Sequence, residues 1–96
     1  MEALKSERMD QLMKAVVSIS SVEEAYAFME DLCSVAELKA MEQRFTVARL
    51  LKSKMPYNLI INATGASTTT ISRVNRSLLY GNGSYDRIFE RLEEKE

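Results

Sequence analysis

The 96-residue sequence contains no histidine, no tryptophan and a single cysteine, Cys33. Without histidine or a second cysteine the chain lacks the usual ligands of a zinc site and any recognisable nucleophile–base pair. We therefore expect no metal site, no cofactor and no enzymatic activity. A lone cysteine also excludes an internal disulfide, which suits a reducing compartment, and we expect a cytoplasmic protein.

Long apolar runs are also missing. No run approaches the ~20 residues of a membrane span, and the first apolar segment is interrupted by charged residues, unlike a secretory signal. We expect one domain over residues 1–96. A chain of this length buries only about 60–65% of the surface that its unfolded form exposes, so association into a dimer is expected to add stability. Our candidates for the shared core are Val16, Phe28 and Ile88.

Acidic residues are absent from nearly half of the chain. Residues 43–85 carry six bases and no Asp or Glu, whereas residues 1–42 carry nine acids and four bases, although the net charge is only −1. A long stretch without carboxylates favours contact with a polyanion such as DNA. Chance clustering outside acidic helices is the simpler alternative. The six bases are Arg44, Arg49, Lys52, Lys54, Arg73 and Arg76.

Apolar residues recur at helical spacing along almost the whole chain, and no alternating pattern indicates a strand. The sequence therefore predicts an all-α fold. Capping boxes at Ser21 and Ser34 mark two helix starts, and Pro56 is expected to end one helix and to lie in the first turn of the next. The six expected helices lie near residues 3–19, 22–32, 35–53, 57–64, 67–80 and 85–94.

Residues 57–80 fit a helix-turn-helix, in which a short helix and a tight turn precede a second helix that reads DNA. Gly65 supplies a turn residue that adopts positive φ without steric cost. In the second helix Ile71, Val74 and Leu78 share one face, which is expected to be buried.

The rest of the second helix carries short hydroxyl and basic side chains, which suit base edges and phosphates in a DNA groove. Ser67 can also cap this helix. A Ser/Thr-rich turn before an ordinary amphipathic helix is the alternative interpretation. The expected DNA contacts are Ser67, Thr68, Thr69, Ser72, Arg73, Arg76, Lys52 and Lys54.

The segment Thr64 to Leu78 closely resembles the DNA-reading region of the tryptophan repressor superfamily, and more narrowly that of the small YerC/YecD-type Trp-repressor-like proteins of bacteria. The resemblance extends across residues 32–92 and is most specific from Gly65 onward. It implies a six-helix domain that forms an interlocked homodimer. It also implies a sequence-specific transcriptional regulator, expected to be a repressor, that binds a palindromic operator.

The resemblance further implies a site for a small-molecule corepressor. In the tryptophan repressor, an arginine and a serine of the reading helix hold the ligand together with an earlier arginine and threonine. Arg73 and Ser77 match the first pair, while Arg44 and Ser34 stand at the positions of the second, with a one-residue gap after Arg44. Val74 replaces a glycine of the family and is expected to crowd the indole ring. We therefore do not expect tryptophan to bind, and the identity of any corepressor stays open.

A different class of function is also compatible with the sequence. Leu59, Ile60 and Ile61 place apolar groups on the first motif helix, where charged residues are common. A helical protein-interaction module that has lost DNA reading could bind a partner through this surface. The net acidity favours that alternative, whereas the Ser/Thr/Arg helix favours the DNA-binding regulator, which is our expectation.

Overall fold

The computed structural model describes residues 2–94, which form six α-helices, one short 3-10 helix and no strand. The predicted all-α fold is therefore confirmed. No helix in this part of the chain is long and apolar enough to cross a membrane. Helices α1 to α6 span Glu7–Val17, Val22–Leu32, Val35–Lys52, Tyr57–Thr64, Thr68–Tyr80 and Ser84–Glu94.

The chain divides into two compact units, Met1–Val35 and Ala36–Glu96. The first unit contains α1 and α2, and neither helix has a buried residue. Val17 and Tyr26 are 83% and 69% exposed. Because most helical stability in proteins comes from packing an apolar face, these two helices gain little from the packing that the structure describes. The prediction of a single domain stays a prediction.

The start of α1 lies four residues later than expected. Residues 2–4 form the 3-10 helix, and Ser6 then caps α1 by accepting a hydrogen bond from the backbone N–H of Met9 at 3.0 Å. The start of α2 is as predicted, with Ser21 accepting from Glu24 N–H at 3.1 Å. Glu24 accepts from the backbone N–H of Ser20 at 3.0 Å, one residue before the position that a capping box specifies.

The second unit contains every buried residue in the described part of the chain. Around this core pack half-buried side chains, including two from α6. The ring of Phe89 lies 5.3 Å from that of Phe45 and 5.8 Å from that of Tyr85, at distances typical of favourable aromatic pairs. The core thus joins the helix-turn-helix to α3 and α6. The buried residues are Val47, Ala48, Ile60, Ala66, Ile71 and Val74.

A left-handed turn at Lys54 ends α3. The backbone N–H of Lys54 donates to Leu51 O at 3.0 Å, and that of Met55 donates to Leu50 O at 3.1 Å. These two bonds with φ of 69° at Lys54 define a Schellman motif, and Leu50 and Met55 both pack against the core, as is usual for that motif. This turn lets α4 begin a few residues after α3 ends.

Pro56 has a different position from the one expected. It is the N-cap of α4, with φ of −62° and ψ of 150°, instead of a residue in the first helical turn. Its carbonyl accepts from the N–H groups of Leu59 and Ile60, both at 3.1 Å. The Lys54 turn ends α3 two residues before the proline, and the expectation that Pro56 stops that helix stays a prediction.

Candidate nucleic-acid interface

The turn between α4 and α5 is built as the sequence predicted. Gly65 has φ of 72° and ψ of 7°, and its N–H donates to Ile61 O at 2.8 Å. A Cβ added to Gly65 would meet nothing within 4 Å, so the backbone conformation alone accounts for glycine here. The Thr64 hydroxyl donates to Ile60 O at 2.7 Å and accepts from Ala66 N–H at 3.1 Å. These bonds fix the angle at which α5 leaves the turn.

A side chain from α3 also holds this turn. Gln43 Nε2 donates to the backbone carbonyl of Thr64 at 3.1 Å in a partly buried position. That carbonyl belongs to the last turn of α4, where backbone acceptors have no partner within the helix. Sequence reasoning missed Gln43, because its partner lies 21 residues away and nothing near Gln43 in the sequence marks it.

Ser67 is the N-cap of α5. Its hydroxyl oxygen accepts from the N–H of Thr70 at 3.1 Å, and the hydroxyl itself donates to Thr70 Oγ1 at 3.1 Å. Ser67 therefore caps the helix, as predicted. Its hydroxyl hydrogen is already used within the turn, so with this pair intact Ser67 can make the base contact that we also predicted only as a hydrogen-bond acceptor.

The two faces of α5 separate apolar from polar side chains. Ile71 and Val74 are buried in the core, and Leu78 is half-buried against it, as predicted. The opposite face is exposed and forms a shallow, open depression of about 310 Å³. Five of the six residues predicted to contact DNA from this helix line that depression, and we call them the α5 reading face: Thr68, Thr69, Ser72, Arg73 and Arg76.

The reading face carries two available positive charges. Neither Arg73 nor Arg76 has an ion-pair partner among residues 2–94. Each presents a planar guanidinium with five N–H donors, a geometry suited to phosphate oxygens and to the acceptors of guanine. Small hydroxyl side chains one turn earlier leave room for a groove edge to approach the helix.

The two lysines predicted to contact DNA differ in their surroundings. Lys52, the last residue of α3, places its Nζ 2.8 Å from Oδ1 of Asp86 on α6. Lys54 is exposed and has no ion-pair partner in the described part of the chain. Sequence reasoning missed Asp86, which is the first acid after the carboxylate-free stretch and which the fold brings back to Lys52.

The family model for the Trp repressor protein matches residues 7–93. The chain belongs to the Trp repressor family. It is 42% identical over 95 residues to the uncharacterized protein YerC of Bacillus subtilis strain 168, an alignment that covers 99% of this chain and 91% of YerC. The predicted resemblance is thereby confirmed, and the family is one of helical DNA-binding regulators rather than enzymes.

Two crystal structures show the same fold. A TrpR-like protein from Eubacterium eligens ATCC 27750 is 49% identical with a TM-score of 0.93, covering 97% of this chain and 96% of that one. A proposed Trp repressor from Staphylococcus aureus is 41% identical with a TM-score of 0.92, covering 96% of this chain and 92% of that one. The Trp-repressor-like arrangement of helices is therefore confirmed.

The four positions that match the family's corepressor site are all exposed in this member of the Trp repressor family. Arg44, Arg73 and Ser77 belong to the second unit and Ser34 to the first. Val74, which stands where the tryptophan repressor has glycine, is only 3% exposed and is part of the core. The corepressor residues and the exclusion of tryptophan stay predictions.

The apolar surface considered for protein binding is not continuous. Ile60 is fully buried, and Ile61 packs against the core, so only Leu59 of the three residues is exposed, at 47%. The apolar residues on α4 are therefore explained mainly by packing within the Trp-repressor-like unit. This distribution weakens one of the two observations that favoured an interaction module, and the net acidity of the chain is the other.

Proposed function

We propose that this protein is a sequence-specific transcriptional repressor that binds a palindromic operator as a homodimer through α4 and α5. The α5 reading face is the observation that carries the proposal. It combines short hydroxyl side chains with two unpaired guanidinium groups on an exposed surface. Its opposite face is anchored in the core through Ile71 and Val74, so the helix is presented on a rigid support.

The α5 reading face and the residues around it have distinct roles in the proposal. Thr69 and Ser72 offer hydroxyls to base edges, and a threonine methyl suits contact with thymine. Arg73 reaches guanine or the adjacent phosphate. Arg76 and Lys54 bind phosphates, which position the protein without reading sequence. The turn that Gly65 and Gln43 hold sets how deeply α5 enters the groove.

The homodimer is supported by the side chains that the chain leaves uncovered. Neither α1 nor α2 contains a buried residue, although both carry apolar side chains. Among our candidates for the shared core, Val16 is 36% exposed, Ile88 is 40% exposed and Phe28 is half-buried. Covering such surface with a second copy is favourable at about 25 cal/mol per Å² of apolar area. A two-fold dimer would present two reading helices to two half-sites.

The proposal also implies the compartment in which the protein acts and the ligands that it needs. A regulator of transcription acts where bacterial DNA is, in the cytoplasm, and the lone Cys33 suits that reducing compartment. The repressor needs no metal or prosthetic group for the contacts described. A small-molecule corepressor of unknown identity would use Arg44, Arg73 and Ser77 of the second unit.

Selection of bound duplexes from a random pool tests the proposal. The purified protein should enrich a palindromic sequence, whereas a variant with both Arg73→Ala and Arg76→Ala should enrich none. Because Val74 fills core space at the position of the family's glycine, the same sequence should be enriched with and without added tryptophan. Recovery of duplexes with no shared sequence would contradict specific recognition.

A further inference from the structure

An ion pair interrupts the basic surface that the sequence suggests. Lys52 is the last residue of α3 and belongs to the carboxylate-free stretch, residues 43–85. Asp86 lies in the first turn of α6. Their side chains meet at 2.8 Å, and each is about half exposed. The charged residues next to Lys52 in the sequence, Arg49 and Lys54, are both basic. The ion pair with Asp86 therefore forms only because the fold brings α6 to the end of α3.

We propose that Asp86 withholds Lys52 from DNA phosphates and thereby lowers the affinity of the repressor for duplexes of any sequence. This inference rests on the proposed function and specifies what limits the affinity of the protein for DNA. The carboxylate oxygen takes up one of the three N–H donors of the Lys52 ammonium group in the same kind of charge-assisted hydrogen bond that a phosphate oxygen would make. A phosphate that approaches Lys52 also meets the negative charge of Asp86.

The surroundings of the pair strengthen this effect. Lys52 and Asp86 line an open groove of about 670 Å³ together with Arg49 from α3 and Glu90 and Glu93 from α6. Two cations therefore face three carboxylates in this groove. Outside this groove, Lys54, Arg73 and Arg76 have no ion-pair partner among the described residues. We infer that phosphates are held by these three residues and that Lys52 remains with Asp86 when DNA is bound.

Removing the carboxylate should make Lys52 available. Asp86→Asn should raise affinity for a random-sequence duplex by about 3- to 5-fold per dimer, since the contribution of exposed ion pairs is modest and is screened by salt. One added phosphate contact per subunit should also make the slope of log K against log salt steeper by about 1 to 2. Glu94→Gln is the matched control, because it removes one negative charge from the same helix outside the pair and the groove.

The experiment measures fluorescence anisotropy of a labelled random-sequence duplex at several salt concentrations, with circular dichroism to check folding. Lys52→Ala alone should change affinity by less than about 2-fold, whereas Lys54→Ala should lower it by about 3- to 5-fold. In the Lys52→Ala background, Asp86→Asn should have no more effect than Glu94→Gln. Asp86→Ser, a second uncharged polar replacement, should reproduce the gain seen with asparagine.

Two results would overturn the inference while leaving the proposed function intact. One is an Asp86→Asn variant that binds no better than Glu94→Gln, and the other is a Lys52→Ala variant that loses as much affinity as Lys54→Ala. A wild-type protein that binds no duplex even at low salt would overturn both the inference and the proposed function.

Discussion

Lys54 combines a backbone conformation that glycine adopts more easily with a side chain proposed to bind DNA. Its φ of 69° lies in the left-handed region, which costs a residue with Cβ roughly 1–2 kcal/mol. Glycine avoids that cost but gives up more entropy on folding, by about 0.5–1 kcal/mol. Lys54→Gly should therefore raise the free energy of unfolding by about 0.5–1 kcal/mol while weakening DNA binding, as measured by urea unfolding and anisotropy.

The control for this prediction is Lys54→Asn, which tolerates the left-handed conformation and removes the charge. It should lose as much DNA affinity as the glycine variant. If both variants bound DNA as tightly as the wild type, the strained position would have no functional explanation, and the proposed phosphate contact at Lys54 would be wrong.

Single residues also show where sequence reasoning reaches its limit. Gly65 could be identified because glycine favours a positive φ and lies between two helical patterns. Lys54 adopts nearly the same φ, yet lysine gives no such signal. Gln43 and Asp86 act through partners distant in sequence, and only the packed structure brings those partners together.

At the scale of elements, local signals predicted most helix boundaries to within one or two residues. The apolar period and the serine caps are properties of adjacent turns, so they can be read directly from the sequence. The early start predicted for α1 failed because Ser6 provides a competing cap. The α5 reading face was also predictable, since residues three and four positions apart must lie on one side of a helix.

Thr69→Ala tests whether α5 reads sequence. The side chain lies on the exposed face one turn before Arg73, so its removal should cost ~1–3 kcal/mol on the selected operator and much less on random DNA. Folding should be unchanged, because alanine has the higher helix propensity. Anisotropy with both duplexes gives the two losses.

Thr46→Ala is the matched control for the reading-helix prediction. It makes the same change on α3, where the hydroxyl donates to Glu42 Oε2 at 2.6 Å outside the helix-turn-helix. This variant should bind both duplexes nearly as the wild type does. Equal losses on operator and random DNA for Thr69→Ala would mean that this position contacts the backbone and does not specify bases.

At the scale of the whole molecule, burial is confined to one part of the chain. All buried residues in the described region come from Val47 to Val74, whereas the helices before residue 35 bury none. The sequence shows which side chains are apolar and which of them share a helix face. It could not show which of these side chains are buried within one copy of the chain. That distinction depends on how helices pack, and it identifies the apolar surface that one copy of the chain leaves exposed.

Association and DNA binding should therefore be lost together when the proposed shared core is disrupted. We expect sedimentation to show a wild-type dimer at micromolar concentration, and about six phosphate contacts, three from each subunit, should give a slope of log K against log salt of about −5. Val16→Glu places a charge on the candidate interface, so it should yield a monomer with about half that slope and much weaker binding to the palindrome. Gln11→Glu adds the same charge at an exposed position of α1 and should remain dimeric. A stable wild-type monomer, or a slope near zero, would contradict paired half-site recognition by a symmetric dimer.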